Sequence, residues 1–332
     1  MSMVGLPQQR GVALITVLLV MVIAVAAVTH AVTRNRLAIS RTSAILANTQ
    51  LAEFVHGAEA WAIIALEKDF EEDRTATSAS DNLLEPWAQK LVEFNPDNGK
   101  IRIQIKDLNS CFNVNNLAVT RRSGGDSGGA SAGADTTDSK VLQRLVRNLG
   151  GRRETALAIE DWVDPGDTPL SSGTEDTGYL GQDVAHRTPD TFITDISELS
   201  AGQGIEPQEW SAIAPELCAL PESGTRINVN TASQELLSAM YPSANIPGLI
   251  SQRESTPFVQ MGDLSAFGIT AGAELDFNSA YYVAHIAVQL GLENRQYWES
   301  TLKLDTTTGA VEVIQRQRRE FSGQYLQELL GD

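Results

Sequence analysis

Gln8-Gln9-Arg10-Gly11 leads directly into Val12-Ala-Leu-Ile-Thr-Val-Leu-Leu-Val-Met-Val-Ile-Ala-Val-Ala-Ala-Val-Thr-His-Ala-Val32, a run without Asp, Glu, Lys or Arg. At ~1.5 Å per helical residue such a run is long enough to cross the ~30 Å hydrocarbon core of a bilayer. Arg10 precedes it and Arg34, Arg36 and Arg41 come after it, so flanking charge does not fix its orientation. A cleaved secretory signal would have a shorter apolar core and a small-x-small site, which Ala24, Ala26 and Ala27 could mimic. The length of the run argues against that reading, and so does the helical pattern that continues beyond Val32. From Thr33 to Glu71 there is no Pro, and Gly57 is the only Gly. Leu37, Leu51, Phe54, Ala58, Trp61, Ile64 and Ala65 recur at helical spacing. The pattern predicts one helix of roughly 60 residues, apolar all round at first and amphipathic later.

Length and charge bound the rest. The 332 residues suit about two or three domains. The net charge of −17, from 42 acidic against 25 basic residues, disfavours a nucleic-acid partner, because phosphate binding needs clustered Lys and Arg. Cys111 and Cys218 lie beyond a segment that would export them, which predicts a single disulfide; two buried free thiols are the alternative.

Residues 73–82 are polar and turn-like. Asn95–Gly99 (NPDNG) is a strong turn signal, and Lys100–Asp107 alternates apolar and polar as a strand does. Ser279–Leu290, Tyr297–Leu304 and Ala310–Gln315 read as three more strands, with Gly291–Asn294 and Asp305–Gly309 as hairpin connections. A short terminal helix is expected over residues 324–330. Between Phe112 and Phe277 helical runs dominate: Ser139–Leu149, Arg153–Trp162, Ile193–Leu199, Pro207–Ala214, Ser233–Ala239 and Met261–Ala266. The fold class is therefore α+β, with a long N-terminal helix on a small antiparallel sheet and a large all-α domain inserted between strands. The segments are 12–72 for the helix, 73–111 and 278–332 for the two parts of the sheet domain, and 112–277 for the insertion.

The insertion contains a repeat. Phe112-Asn-Val-Asn-Asn-Leu-Ala resembles Ile227-Asn-Val-Asn-Thr-Ala-Ser. Phe192-Ile-Thr-Asp-Ile-Ser-Glu-Leu-Ser-Ala resembles Phe258-Val-Gln-Met-Gly-Asp-Leu-Ser-Ala. The repeat divides the insertion into two related units, 112–220 and 221–277, with the Asn residues as caps for the helices behind them. Two segments make the first unit longer. One is the Gly/Ser/Ala-rich stretch Arg121–Asp138, expected to be disordered; the other is Asp164–Asp190.

That second segment is dense in carboxylates. Asp161, Asp164, Asp167, Glu175 and Asp176 lie close together, Asp183 and Asp190 come next, and no Lys or Arg occurs from Asp161 to His186. Bound Ca²⁺ would relieve both the repulsion and the ordering cost of so long a loop; a solvated loop without metal is the competing reading. The spacing is not that of an EF-hand. His186 is the only nearby nitrogen ligand and both Cys are distant, which disfavours zinc.

Other motifs carry no chemistry. Gly125-Asp-Ser-Gly-Gly matches a serine-protease nucleophile motif, but Ser127 stands in low-complexity sequence with no matching His upstream. Ile227-Asn-Val-Asn-Thr-Ala with Arg253 and Phe258 resembles helix-hairpin-helix DNA-uptake proteins. Their Gly-apolar-Gly phosphate hairpin is replaced here by Asn245-Ile-Pro-Gly-Leu, without basic flanks. His30, His56, His186 and His285 are scattered, and the five Trp are dispersed as core or interface residues.

Gln-Arg-Gly followed by the apolar run resembles the prepilin peptidase site of type IV pilins and type II secretion pseudopilins. The resemblance implies cleavage between Gly11 and Val12 on the cytoplasmic side, residues 1–11 as leader, and N-methylation of Val12. Most pilins carry Glu at the fifth mature position, where it is thought to neutralise a neighbour's free amine; that position is Thr16 here. A subunit without this carboxylate fits the filament tip, where no neighbour needs it. The missing Glu, the size and the helical insertion are together similar to minor pseudopilin K of type II secretion, over nearly the whole chain.

That resemblance implies a non-enzymatic subunit that caps the pseudopilus, initiates its assembly and supports export of folded proteins. It implies an inner-membrane, single-pass protein with its bulk in the periplasm. The implied partners are minor pseudopilins of the I, J and H types and the prepilin peptidase; secreted substrates or the outer-membrane secretin are further contacts that the sequence leaves open. Pseudopilin K proteins carry a similar W-[IV]-D…P…E-D…Y segment and bind calcium there. This points to Asp164, Asp167, Glu175 and Asp176 as structural calcium ligands, with Asp161 and Asp190 flanking. A DNA-uptake or type IV minor pilin, a signal-anchored enzyme and a secreted calcium-binding protein are the alternatives.

Overall fold

The computed structural model describes residues 10–76, 79–89, 91–120, 137–165, 169–170, 176–181, 185–202, 204–292 and 294–319. The expected terminal helix, most of Arg121–Asp138, and Asp167, Glu175 and Asp183 lie outside them.

Helix α1 runs from Arg10 to Thr75 without a break, about 100 Å at ~1.5 Å per residue. Its first half packs on nothing: Leu14, Val20, Ile23, Val28 and Ile39 are all more than half exposed. From Leu51 onward one stripe is buried, through Val55, Ala58, Ala62 and Leu66. Those residues recur every three or four positions, and the two alanines let the helix sit close to the sheet.

The sheet contains β1 (Val92–Phe94), β2 (Gly99–Asp107), β7 (Tyr281–Leu290), β8 (Asn294–Leu304) and β9 (Val311–Arg319), in the order β1-β2-β7-β8-β9 and antiparallel throughout. Alternation decides which face meets α1. Ile101, Ile103 and Ile105 of β2, Ala284, Ile286 and Val288 of β7, and Leu302 and Leu304 of β8 form one core with the helix. Glu59 of α1 is buried in that core; its carboxylate accepts from Arg316 Nε and Nη2, both at 2.6 Å, and from Ser300 Oγ. The β8–β9 hairpin turns at Gly309, whose φ of 77° is left-handed. A Cβ there would stand 2.4 Å from the Phe70 ring, so glycine is required twice over.

β2 and β7 are sheet neighbours, with Asp107 opposite Tyr282, although the whole insertion separates them in sequence. The chain leaves and re-enters the sheet at one point, so a domain can be inserted without disturbing the ladder. After the short α2 (Pro86–Gln89), the helices of the insertion are α3 (Leu117–Thr120), α4 (Thr137–Asn148), α5 (Arg153–Val163), α6 (Asp176–Tyr179), α7 (Pro207–Ile213), α8 (Gln234–Met240) and α9 (Ile246–Arg253). The expected helices at Ile193–Leu199 and Met261–Ala266 are 3₁₀ turns, Ile196–Ala201 and Met261–Phe267. Helix α9 forms where the hairpin-like Asn245-Ile-Pro-Gly-Leu stands. The Asn245 side chain caps it by accepting from Gly248 N, so that N–H is not offered to a phosphate.

The two units share one hydrophobic core, from Phe112, Leu142 and Ile159 to Leu236, Phe258 and Leu275. Each is closed by a two-residue parallel bridge. In the first, β3 (Phe112–Asn113) pairs with β4 (Leu217–Cys218); in the second, β5 (Ile227–Asn228) pairs with β6 (Leu275–Asp276). The repeat is visible in hydrogen bonds. Asn115 Oδ1 accepts from Ile193 N while its Nδ2 donates to Ile193 O. Asn230 Oδ1 accepts from Phe258 N while its Nδ2 donates to Phe258 O. The structure thus corrects the register of the repeat by one residue: Ile193, not Phe192, is the counterpart of Phe258. Ile193 and Leu199 are buried as Phe258 and Leu264 are, whereas Phe192 is exposed.

Candidate functional site

At the apolar segment, Gly11 and Val12 lie in the first turns of α1. Thr16 Oγ1 donates to Ala13 O at 2.9 Å, so the hydroxyl at the usual glutamate position is satisfied within its own helix. One helix, Ala13–Thr75, is long and apolar enough to cross a membrane, with none of its most apolar stretch buried.

Cys111 and Cys218 form the expected disulfide, with Cα atoms 5.8 Å apart. Cys111 immediately precedes β3 and Cys218 ends β4, so the bond ties the two ends of the first unit together.

The acidic loop is described in part. Asp161 is fully buried near the end of α5, and its carboxylate accepts from Leu170 N. Asp164 is 1% exposed and caps the same helix, its N–H donating to Glu160 O. Asp176 opens α6, accepts from Thr188 N at 3.2 Å and lies 3.0 Å from Arg187 Nη1. Asp190 takes a left-handed φ of 49°, and its Oδ1 is buried with no hydrogen-bond partner among the described residues. Trp162, Tyr179 and His186 cluster at the loop, Trp162 edge-on to Tyr179 and His186 tilted against both, with 4.8 Å between the Tyr179 and His186 ring centres. The loop therefore brings Asp161 and Asp164 to one helix end. It also leaves one buried oxygen, on Asp190, that a hard cation would satisfy. Among the described residues, no three of these carboxylates lie close enough together to hold an ion; Asp167 and Glu175 fall outside the described set.

A different carboxyl cluster is close-packed. Oxygens of Asp69 on α1, and of Asp81 and Glu85 in the connection to β1, all lie within 4.8 Å of one another. Burial, with Asp73 and Glu72 nearby, lifts Asp69 to about 7. Burial lifts Asp81 to about 8; the Ser279 N–H opposes the rise, and Asp107 and Asp69 add to it. Burial and the charge of Asp69 lift Glu85 to about 8. Nothing in the spacing of these three residues announces the cluster. Only the return of the chain after α1 brings residues of the 73–90 connection under the helix end.

Across the sheet, His285 Nδ1 meets the Tyr297 hydroxyl, and burial holds the imidazole down at about 3, so it is a neutral packed side chain. Ser127 lies outside the described residues.

A long helix whose apolar first half fits a single-pass membrane anchor, seated on an antiparallel sheet that carries an inserted disulfide-tied helical domain, defines a pilin-like fold. Family models for type II secretion system protein K match residues 110–222 and 227–284. The type II secretion system protein K of Aeromonas hydrophila is 31% identical over 70% of this chain and 71% of its own length. That of Pectobacterium carotovorum subsp. carotovorum is 29% identical over 93% of this chain and 96% of its own. The chain belongs to the type II secretion system protein K family. The fold is also that of a solved chain in the GspK-GspI-GspJ complex from the enterotoxigenic Escherichia coli type 2 secretion system. The TM-score is 0.66 and the identity 20%, covering 85% of this chain and 100% of that one.

Proposed function

We propose that this chain is the minor pseudopilin at the tip of a type II secretion pseudopilus, where it initiates assembly and supports export of folded proteins. Val12–Val32 anchors it in the inner membrane, and the remainder stands in the periplasm until the helix is drawn into the filament. One observation carries this reading. The helical domain joins the sheet at Asp107 and Tyr281, the end reached by the last turns of α1 and farthest from the apolar segment. A domain of that bulk, so placed, would obstruct a subunit stacked above it and leaves subunits below unhindered.

The exposed first half of α1 supports partners of the I, J and H types, since an apolar helix drawn out of lipid needs other helices to cover it. In the solved complex the related chain is found with GspI and GspJ. The chain has no catalytic task in this reading. Single cysteines along α1, such as Ile39→Cys, should cross-link to I- and J-type subunits co-expressed in membranes. Cross-links only to the major pseudopilin would contradict the tip position.

The acidic loop is read as a structural calcium site held by Asp164, Asp167, Glu175 and Asp176 with Asp161 and Asp190 flanking. The unmatched Asp190 oxygen and the burial of Asp161 and Asp164 support it. Bound calcium would fix the loop against Trp162 and Tyr179 and shape the surface of the domain.

A further inference from the structure

Where the helical domain overhangs the sheet face turned away from α1, the two enclose a cleft of about 600 Å³. Its floor crosses four strands in register: Gln104 of β2, His285 of β7, Glu299 of β8 and Gln317 of β9 stand side by side. At ~4.8 Å between neighbouring strands that row is about 14 Å long. Its roof is apolar, from Ile196, Ala214 and Pro215 of the domain.

The cleft lacks the acidic excess of a chain with net charge −17. Asp195 and Glu299 both accept from Arg319, at 2.5 and 2.7 Å, so one guanidinium answers both acids. Gln104, Thr301 and Gln317 are half-buried, and their side chains make no hydrogen bond among the described residues. Lys106 is exposed at the β2 end. The lining therefore suits a chain with uncharged donors and acceptors for the floor, apolar side chains for the roof and an acid at the β2 end.

One segment of this chain meets all three requirements. β9 ends at Arg319, which lines the cleft. Residues 320–332 lie outside the described residues. In sequence, Phe321-Ser-Gly-Gln-Tyr-Leu-Gln327 carries no charge, and Glu328 comes directly after it. Ser322-Gly323 is a turn signal that lets a chain leaving β9 double back over the sheet face. From Gln324 to Glu328 an extended chain covers about 13 Å at ~3.3 Å per residue, close to the span from Gln317 to Gln104. We propose that residues 321–328 cross the cleft as a strap, with the Gln324 and Gln327 amides over the floor, Tyr325 and Leu326 against the roof and Glu328 at Lys106. This extended crossing takes the place of the short helix expected over residues 324–330. The strap joins the last strand to the inserted domain and covers the cleft.

The test uses the full chain in detergent micelles, with the photo-crosslinking residue p-benzoylphenylalanine in place of Leu326. Irradiation should join it to a residue of the cleft in the same chain, identified by mass spectrometry of the digested protein. Adducts only outside the cleft, adducts only between chains, or none at all overturn the proposal. A second measurement follows the reaction of Gln317→Cys with a maleimide, the native disulfide intact. Its rate should rise about tenfold or more in a chain stopped after Arg319. Equal rates overturn the strap, whether the cysteine is open in both chains or covered in both by another occupant. If the stopped chain fails to fold, the cross-link decides alone. None of these outcomes depends on the tip assignment or on calcium.

Discussion

Asn115 and Asn230 show how much of this domain rests on single side chains. Each closes a two-bond ring with a distant backbone unit, at Ile193 and Phe258, and each is essentially fully buried. Asn115 also donates to Leu220 O. Replacing it with Ala strands two carbonyls and an N–H in a dry core. Asn115→Ala should lower unfolding stability by about 2–4 kcal/mol, and Asn230→Ala somewhat less, measured by urea denaturation. The repeated Asn-Val-Asn is plain in the sequence and its partners are not. Matching Phe192 to Phe258 by residue type misses the register by one, because the clamp reads backbone and the buried side chain behind it, not the aromatic ring. Asp69, Asp81 and Glu85 were illegible for a related reason: their proximity is created by a chain reversal.

At the scale of elements, periodicity was informative wherever one face is buried. β2 and the β7–β8–β9 meander lie where alternation puts them, because burial on one face imposes a period on the sequence. On α1 the spacing gave the helix but only part of its buried face, since Leu51 and Ala58 lie on it with Val55, Ala62 and Leu66 while Leu37 and Ile64 are exposed. Short elements escaped. β1 is three residues long, the parallel bridges two each, and α9 hides behind a Pro and a Gly. The disulfide belongs to this scale because it joins element ends across a sequence separation of 107. Loop-closure entropy alone gives it about 4–5 kcal/mol. Cys218→Ala should cost the helical domain stability of that order in chemical denaturation. The calcium site proposed for the acidic loop is testable in the same way. Chelator should lower the domain's melting temperature, and elemental analysis should find calcium that is lost in Asp164→Asn, Glu175→Gln. A calcium-free purified protein with an unchanged melt would refute the metal assignment.

For the whole molecule, the acidic excess sets a pH optimum. Asp69, Asp81 and Glu85 hold protons in the folded state to about pH 7 or 8 but lose them near pH 4 when unfolded. The folded chain therefore binds more protons between those limits, and stability should fall as pH rises from about 4 to about 8, then level off. Glu59 acts oppositely. Burial would raise it, but Arg316 and Ser300 hold it below its usual value, so its contribution is lost on acidification below that value. Denaturation midpoints should therefore peak in mildly acidic buffer and decline by on the order of a few kcal/mol toward pH 8. A flat profile from pH 5 to 8 would mean the carboxyl cluster is ionised.

The molecule as a whole is a long helix, apolar in its first half, joined to a folded body, and the proposed function requires that helix to be retained. The most direct test is the mass of the mature N-terminal peptide from chain expressed together with a prepilin peptidase. The account predicts a peptide beginning at N-methylated Val12, with the apolar run still attached. A peptide beginning at or beyond Val28, after the Ala24–Ala27 stretch, would mean a discarded signal and would contradict it.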